Sequence, residues 1–204
     1  MGKLLSEGFG TFLLTIVVAL SANPLAVGLM IVAIIYMLAP FSETHFNPAV
    51  SVAAWLRGKI DVSECIESIG GQVIGAFLGA VVSGWVATIP FVPSPDTGTP
   101  HLAFALLEFL FSVALITLFL IMLYPKTRRK NPAYGVIIGL GIAGLYLAAE
   151  QAISIGLNPA LSGSIITTQY LQMNASFTYV LVYLLAPLIA ALPAAWIHKR
   201  MELM

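Results

Sequence analysis

Long apolar stretches alternate with short polar segments along the whole chain. Six stretches approach the length of about 20 residues that an α-helix needs to cross a bilayer. They run at about residues 4–22, 25–39, 66–89, 102–123, 134–152 and 177–197. Two further apolar segments, at about 48–56 and 159–170, are too short to cross and follow the second and fifth stretches directly. The pattern predicts an all-α membrane protein with six spanning helices and two re-entrant half-helices.

The basic residues test this layout, because Lys and Arg concentrate on the cytoplasmic side of membrane proteins. With six spans, both termini and the loops after spans two and four share one side. All nine basic residues fall on that side: Lys3, Arg57, Lys59, Lys126, Arg128, Arg129, Lys130, Lys199 and Arg200. The loops on the opposite side contain none. The sequence therefore predicts a multi-pass protein of the cell membrane with both termini in the cytoplasm.

Composition supports a lipid environment and excludes several functions. Of 204 residues, 59% are hydrophobic and 9% are charged, whereas a soluble domain has about a quarter charged residues. The formal net charge is zero, so a nucleic-acid partner is not expected. The single cysteine, Cys65, provides neither a disulfide framework nor a Cys-based metal site. No nucleophile–base pair, metal-ligand cluster or phosphate loop is found, so we expect neither an enzyme nor a cofactor.

The chain contains an internal repeat. Each half has a span with a glutamate (Glu7 and Glu108), a second span, an Asn-Pro-Ala tripeptide with a short segment, and a third span. Because each half has an odd number of spans, the halves must have opposite orientations. We therefore predict a single channel domain over residues 1–204, built from inverted repeats at about 1–89 and 102–204. Interrupted segments of inverted repeats point to the permeation site.

The two tripeptides are Asn47-Pro48-Ala49 and Asn158-Pro159-Ala160. Asn is a good N-cap and Pro suits the first helical position, so each tripeptide predicts a helix start. In inverted halves, the two starts would meet near the midplane, where their helix dipoles repel cations. The Asn amides could donate hydrogen bonds to a neutral solute. A third copy, at 131–133 beside the basic loop, is predicted to be a helix cap only.

At these residues the chain resembles the aquaporin, or major intrinsic protein, family over nearly its whole length. The similar stretches are Glu7-x-x-Gly10-Thr11-Phe12, Gly28-Leu29, His45-Phe46-Asn47-Pro48-Ala49-Val50, Gly71-Gln72-x-x-Gly75-Ala76, Glu108, Gly156-Leu157-Asn158-Pro159-Ala160 and Ala186-Pro187-Leu188-Ile189-Ala190. The resemblance implies a homotetramer with one pore per subunit, passive conduction of water or small neutral solutes, and no cofactor.

The family's selectivity filter, transferred by spacing from the two motifs, falls on Val27, Tyr146, Ile155 and Leu161. Leu161 stands where the family nearly always has arginine. An arginine offers five donors, whereas the tyrosine hydroxyl is the only polar side-chain group of this filter. We expect a constriction less favourable to water or glycerol and more tolerant of weakly hydrated molecules: ammonia, carbon dioxide, hydrogen peroxide or small amphipathic solutes. Reduced water conduction assisted by loop carbonyls, and a closed pore, remain alternatives.

Several polar residues are expected to support the pore loops. Glu7 and Glu108 should accept backbone N–H groups of these loops, because buried carboxylates in a membrane need partners. His45 is interpreted as a loop support, with a pH sensor as the alternative. Glu43 stands where the family usually has glycine. It could accept loop hydrogen bonds or pair with Arg57 or Lys59, or alternatively form a pH-dependent gate or attract cations.

A secondary transporter is the competing class. Such transporters also use inverted repeats and broken helices, but they usually carry intramembrane charges for ion coupling. Here the candidates, Glu7 and Glu108, already have a structural explanation. Glycines at four-residue spacing, such as Gly71, Gly75 and Gly79, predict close packing of helices.

Overall fold

The computed structural model describes residues 2–87, 92–95, 98–126, 131–149, 156–173 and 179–203. Within these ranges it contains eight α-helices and no strand. The helices are α1 Gly2–Ser21, α2 Pro24–Leu38, α3 Pro48–Leu56, α4 Val62–Val86, α5 His101–Leu123, α6 Tyr134–Ala149, α7 Pro159–Met173 and α8 Val180–Leu203. The predicted all-α class and the order of the helices are confirmed.

The helices differ in their ability to cross a bilayer. Four of them, α1, α4, α5 and α8, are long and apolar enough to do so, with 20 to 25 residues each. The helices α2 and α6 are apolar but have 15 and 16 residues, about 22–24 Å at 1.5 Å per residue, against a hydrocarbon core of about 30 Å. Pro40 follows the end of α2 and cannot continue a helix.

The two halves of the chain pack in the same way. Helix α1 packs on α4 and α5 on α8, while α2 packs against its counterpart α6. The short helix α3 lies against α8, and α7 lies against α4. The counterparts of α1, α2, α3 and α4 are α5, α6, α7 and α8. If each helix is exchanged for its counterpart, the list of helix pairs in contact stays the same. The two halves are therefore equivalent in their packing, and each half-helix packs against the other half of the molecule, as the predicted repeat requires.

Close helix packing depends on small residues where α1 meets α4. A Cβ atom added at Gly75 would overlap the carbonyl oxygen of Gly8, and one added at Gly71 would overlap that of Leu4. At Gly79 the nearest atom would be the carbonyl oxygen of Phe12 at 2.7 Å. Small residues at such crossings allow helix backbones to approach closely, as the spacing of these glycines predicts.

Polar contacts join the segments that carry the basic residues at one end of the bundle. Lys3 Nζ lies 2.6 Å from Glu64 Oε1, which ties α1 to α4. Lys59 Nζ lies 2.7 Å from Glu202 Oε1, which ties the chain after α3 to α8. Asn131 Oδ1 accepts the N–H of Ala133 at 2.9 Å just before α6 begins. The third Asn-Pro-Ala copy thus makes the contact of a local cap at this same end.

Candidate functional site

The helices α3 and α7 begin with the same side-chain geometry. Asn47 is the N-cap of α3, and its Oδ1 accepts the N–H of Ala49 at 2.9 Å. Pro48 is the first helical residue, where a missing N–H leaves no unsatisfied donor. Before α7, Asn158 Oδ1 accepts the N–H of Ala160 at 3.1 Å. Both asparagines therefore use their amide oxygen to start a helix and keep their NH₂ group for another partner.

That partner lies in the opposite loop. Asn47 Nδ2 donates to the carbonyl of Leu157 at 2.8 Å, and Asn158 Nδ2 donates to the carbonyl of Phe46 at 2.8 Å. Phe46 and Leu157 both have left-handed backbones, with φ of 50° and 55°, a conformation that costs an L-residue about 1–2 kcal/mol. Each amide carries two hydrogens. One hydrogen of each amide thus binds the loops together, and a second remains on each nitrogen.

Glu7 supports the loop before α3. Its side chain is completely buried, and its two carboxylate oxygens accept the N–H groups of His45 at 3.0 Å and Phe46 at 2.7 Å. Gln72 Nε2 also donates to this carboxylate, at 2.8 Å. A buried carboxylate is costly unless donors satisfy it. Glu7 therefore fixes the two residues that precede Asn47.

Glu108 holds the equivalent loop of the second half. It is also completely buried, and it accepts the N–H groups of Gly156 at 2.9 Å and Leu157 at 2.6 Å. Each carboxylate thus binds the two consecutive N–H groups directly before an Asn-Pro-Ala motif. This arrangement holds the left-handed residue in place and directs its carbonyl to the Asn of the other half.

His45 is buried beside the same loop. Its Nδ1 lies 3.0 Å from Ser51 Oγ, and its Nε2 lies 2.7 Å from the hydroxyl of Tyr124 at the end of α5. Both ring nitrogens therefore have protein partners, which is the geometry expected of a loop support. Tyr124 was not identified from the sequence, because nothing in one sequence links it to a loop 79 residues away.

A small cavity lies between the two loops. Its polar lining consists of Asn47, Asn158, His45 and Tyr146, and its other lining side chains are apolar. The cavity has a volume of about 20 Å³, and a single water needs about 10–15 Å³. The cavity therefore has room for about one water molecule and not for a large ligand.

The predicted filter residues gather around this cavity. Val27 in the first turn of α2, Tyr146 in the last turn of α6 and Leu161 in the first turn of α7 all line it. The hydroxyl of Tyr146 donates to the carbonyl of Gly156 at 2.7 Å. The fourth predicted member, Ile155, lies outside the described residues. Among the described lining residues none is Asp, Glu, Lys or Arg.

The expected partners of Glu43 contact a different acid. Arg57 and Lys59 both form ion pairs with Glu202 near the end of α8. Arg57 Nε also donates to His198 Nδ1 at 3.1 Å. The sequence did not identify this cluster because its members are about 140 residues apart. In the described ranges, no three His, Cys, Asp or Glu side chains are placed to hold a metal ion.

Comparisons with known proteins agree with this geometry. The chain matches the family model described as Major intrinsic protein over residues 2–198. It is 31% identical over 189 residues to a probable aquaporin AqpM of Archaeoglobus fulgidus, covering 86% of this chain and 74% of that one. It is also 31% identical over 221 residues to a glycerol uptake facilitator protein-like 6 of Lactiplantibacillus plantarum, covering 98% of both chains.

A solved structure shares the fold. The X-ray structure of the aquaglyceroporin from Plasmodium falciparum superposes with a TM-score of 0.84 at 18% identity, covering 98% of this chain and 95% of that one. At this identity the likeness concerns the fold alone, whereas the family match extends over nearly the whole sequence. The chain therefore belongs to the major intrinsic protein family, whose members are passive membrane channels for water or small solutes and not enzymes.

Proposed function

We propose that this protein conducts water or small uncharged solutes through the cavity between its two Asn-Pro-Ala motifs. The observation that carries the proposal is the exchange of hydrogen bonds between Asn47 and Leu157 and between Asn158 and Phe46. It brings two helix N-termini together at one point, where each contributes about half a positive charge. Cations are repelled there, while the remaining amide hydrogens can bind a neutral solute.

The constriction formed by Val27, Tyr146, Ile155 and Leu161 would set the selectivity of the pore. Relatives are named as an aquaporin and as a glycerol uptake facilitator-like protein, which makes water and glycerol the first candidates. A mainly apolar ring withdraws hydrogen bonds worth about 0.5–1.5 kcal/mol each from a polar solute. The alternative is therefore a specialised channel of low water permeability for ammonia, carbon dioxide, hydrogen peroxide or a small amphipathic molecule.

The buried carboxylates favour a channel over a secondary transporter. Ion coupling usually depends on intramembrane charges that can bind the coupling ion. Both oxygens of Glu7 and of Glu108 already accept hydrogen bonds from the pore loops. We assign these two residues, together with His45, to loop support. Glu43, half-buried four residues before Asn47, remains a candidate for the vestibule of the pore.

The assembly and the topology belong to the same proposal. The single channel domain of residues 1–204 would consist of inverted repeats at about 1–89 and 102–204, which the equivalent helix packing supports. It would form a homotetramer in the cell membrane with both termini in the cytoplasm. The ion pairs of Lys3 with Glu64 and of Lys59 with Glu202 hold basic residues at one end of the bundle, which supports this orientation.

Stopped-flow light scattering on proteoliposomes tests the function. Water, glycerol, urea and ammonia should be compared at matched protein content, with empty liposomes as the blank. A channel gives flux that is linear in the solute gradient with a low activation energy, whereas saturation and ion dependence would identify a transporter. The variant Leu161→Arg should change the solute profile sharply. An unchanged profile would contradict the placement of Leu161 in the constriction.

A further inference from the structure

A chain of buried side chains leads from Glu7 to the wall of the cavity, and its hydrogen bonds run in one direction. Both carboxylate oxygens of Glu7 accept backbone N–H groups, so Glu7 also acts as the acceptor toward Gln72. Gln72 Nε2 donates to Glu7 Oε2 at 2.8 Å and to Ser51 Oγ at 3.0 Å. Ser51 therefore accepts from Gln72, and its single hydroxyl hydrogen is left for another partner.

The next partner is the ring of His45, which lines the cavity. Among the described contacts of Ser51 Oγ, only His45 Nδ1, at 3.0 Å, can accept the hydroxyl hydrogen. A neutral imidazole carries one ring hydrogen, and these contacts assign it to Nε2. This nitrogen lies 2.7 Å from the hydroxyl oxygen of Tyr124. His45 therefore donates to Tyr124, and Tyr124 is its acceptor.

Tyr124 is itself held from a third element. It is the C-cap of α5, and its carbonyl lies 3.1 Å from His198 Nε2 in α8. Arg57 Nε donates to His198 Nδ1 at 3.1 Å, which leaves the ring hydrogen of His198 on Nε2 for this carbonyl. Tyr124 lies behind His45 and is not among the residues that line the cavity. It thus offers His45 a fixed acceptor on the side away from the solute.

The ring of His45 depends on this acceptor. His45 is 1% exposed, and a buried N–H without a partner costs about 1–3 kcal/mol. The cavity beside the ring has room for about one water molecule. A ring that turned toward the cavity to find another acceptor would therefore fill the space that a permeating solute needs.

We propose that Tyr124 is a positioning residue that holds the ring of His45 against the wall of the cavity and so keeps the cavity open. The inference rests on the proposed channel function and deepens it. Tyr124 acts through the Nε2–H group of His45 and does not contact the solute itself. Its hydroxyl oxygen is the atom that matters, so phenylalanine at this residue removes the role and keeps the aromatic ring.

A double-mutant cycle in proteoliposomes tests this role. Tyr124→Phe should lower the permeability to the conducted solute, among water, glycerol, urea and ammonia, by roughly twofold to tenfold, the factor that one net hydrogen bond represents. His45→Asn keeps an amide oxygen near the place of Nδ1 as an acceptor for Ser51, but it has no atom that reaches Tyr124. In the His45→Asn background, Tyr124→Phe should have no further effect. Tyr36→Phe is the matched control, since it removes a tyrosine hydroxyl bonded to the carbonyl of Pro132 at 2.7 Å, and it should conduct like the wild type.

NMR with isotope-labelled histidine reports on the ring independently of flux. The chain has three histidines, and the signal that disappears in His45→Asn belongs to His45. In the wild type this signal should show the hydrogen on Nε2, and in Tyr124→Phe it should shift as that hydrogen bond is lost.

The outcomes separate the inference from the proposed function. Unchanged flux in Tyr124→Phe, or an equal loss with and without His45→Asn, would overturn the inference, because the hydroxyl would then not act through the ring. An Nδ1–H tautomer of His45 in the wild type would overturn it as well. If the wild type matches empty liposomes, the proposed function fails. In that case an unshifted His45 signal in Tyr124→Phe also overturns the positioning role, whereas a shifted signal supports it.

Discussion

Gly28 and Gly139 lie face to face where α2 crosses α6. A Cβ atom added to either residue would lie 2.5 Å from the carbonyl oxygen of the other. Two equivalent helices of the inverted repeat therefore meet backbone to backbone at a pair of equivalent contacts. Such close approach is the feature that small residues provide in membrane helix pairs.

Substitution of either glycine by alanine should separate α2 from α6. A carbonyl oxygen cannot move as a flexible side chain can, so we expect Gly139→Ala to destabilise the protein by about 1–3 kcal/mol. Gly144→Ala in the same helix is the control, because a Cβ atom there meets nothing within 4 Å. Thermal unfolding in detergent provides the measurement. Equal melting temperatures for the two variants would contradict the close crossing.

The asparagine exchange leads to a second prediction. In Asn158→Asp the side chain keeps the oxygen that caps α7 but loses the hydrogen that Phe46 accepts. It also places a negative charge where two helix dipoles favour anions and exclude cations. We expect lower flux of neutral solutes and a new cation leak, measured as dissipation of a potassium gradient in proteoliposomes.

The third motif provides the control for that experiment. Asn131→Asp makes the same chemical change at a residue whose side chain accepts only the local N–H of Ala133 among its described hydrogen bonds. Its conduction should match that of the wild type. A cation leak of equal size in both variants would show that the exchange between Asn158 and Phe46 has no special role in ion exclusion.

The buried glutamates yield a prediction about stability. Glu108 accepts one backbone N–H on each carboxylate oxygen, whereas glutamine has a single acceptor oxygen. In Glu108→Gln one loop N–H therefore loses its acceptor and faces the new NH₂ group, at a cost of about 1–3 kcal/mol. Glu64→Gln, at a partly exposed residue paired with Lys3, should cost much less. The measurement is the melting temperature of each variant, which should fall much further for Glu108→Gln than for Glu64→Gln. Equal shifts would contradict the role of Glu108 in holding the loop.

Local rules account for the parts of this protein that the sequence predicts well. Helix lengths follow from apolar runs, and the starts of α3 and α7 follow from Asn-Pro capping. The loop donors of Glu7 and Glu108 could be expected because a buried carboxylate requires partners. The inward position of Val27, Tyr146 and Leu161 followed from spacing to the motifs within a recognised family.

Contacts between distant segments were not predictable in the same way. The sequence identified the hydroxyl of Tyr146 as a polar group of the filter, but its orientation depends on where the carbonyl of Gly156 points. The direction of this carbonyl depends in turn on the left-handed backbone of Leu157. A leucine in the sequence gives no indication of such a conformation. The bonds from each Asn to the opposite loop also required the relative position of the two halves.

The pairing of Arg57 with Glu202 is another such contact, and it supports the last prediction. Arg57 is the C-cap of α3, and Glu202 pairs with both Arg57 and Lys59. The end of α8 thus stabilises the C-terminal end of α3. A single exposed ion pair is worth about 0–1 kcal/mol, but here one carboxylate pairs with two bases of the same segment.

We therefore expect Glu202→Gln to loosen this end of α3 without changing the pore loops. The measurement is hydrogen exchange by mass spectrometry, in which amides of residues 55–60 should exchange several times faster while those of residues 45–49 stay protected by Glu7 and Asn47. Lys199→Gln, one turn earlier on the exposed surface of α8, is the matched control. Faster exchange of residues 45–49 as well would mean that the half-helix moves as one unit, because its two ends would then depend on the same ion pairs.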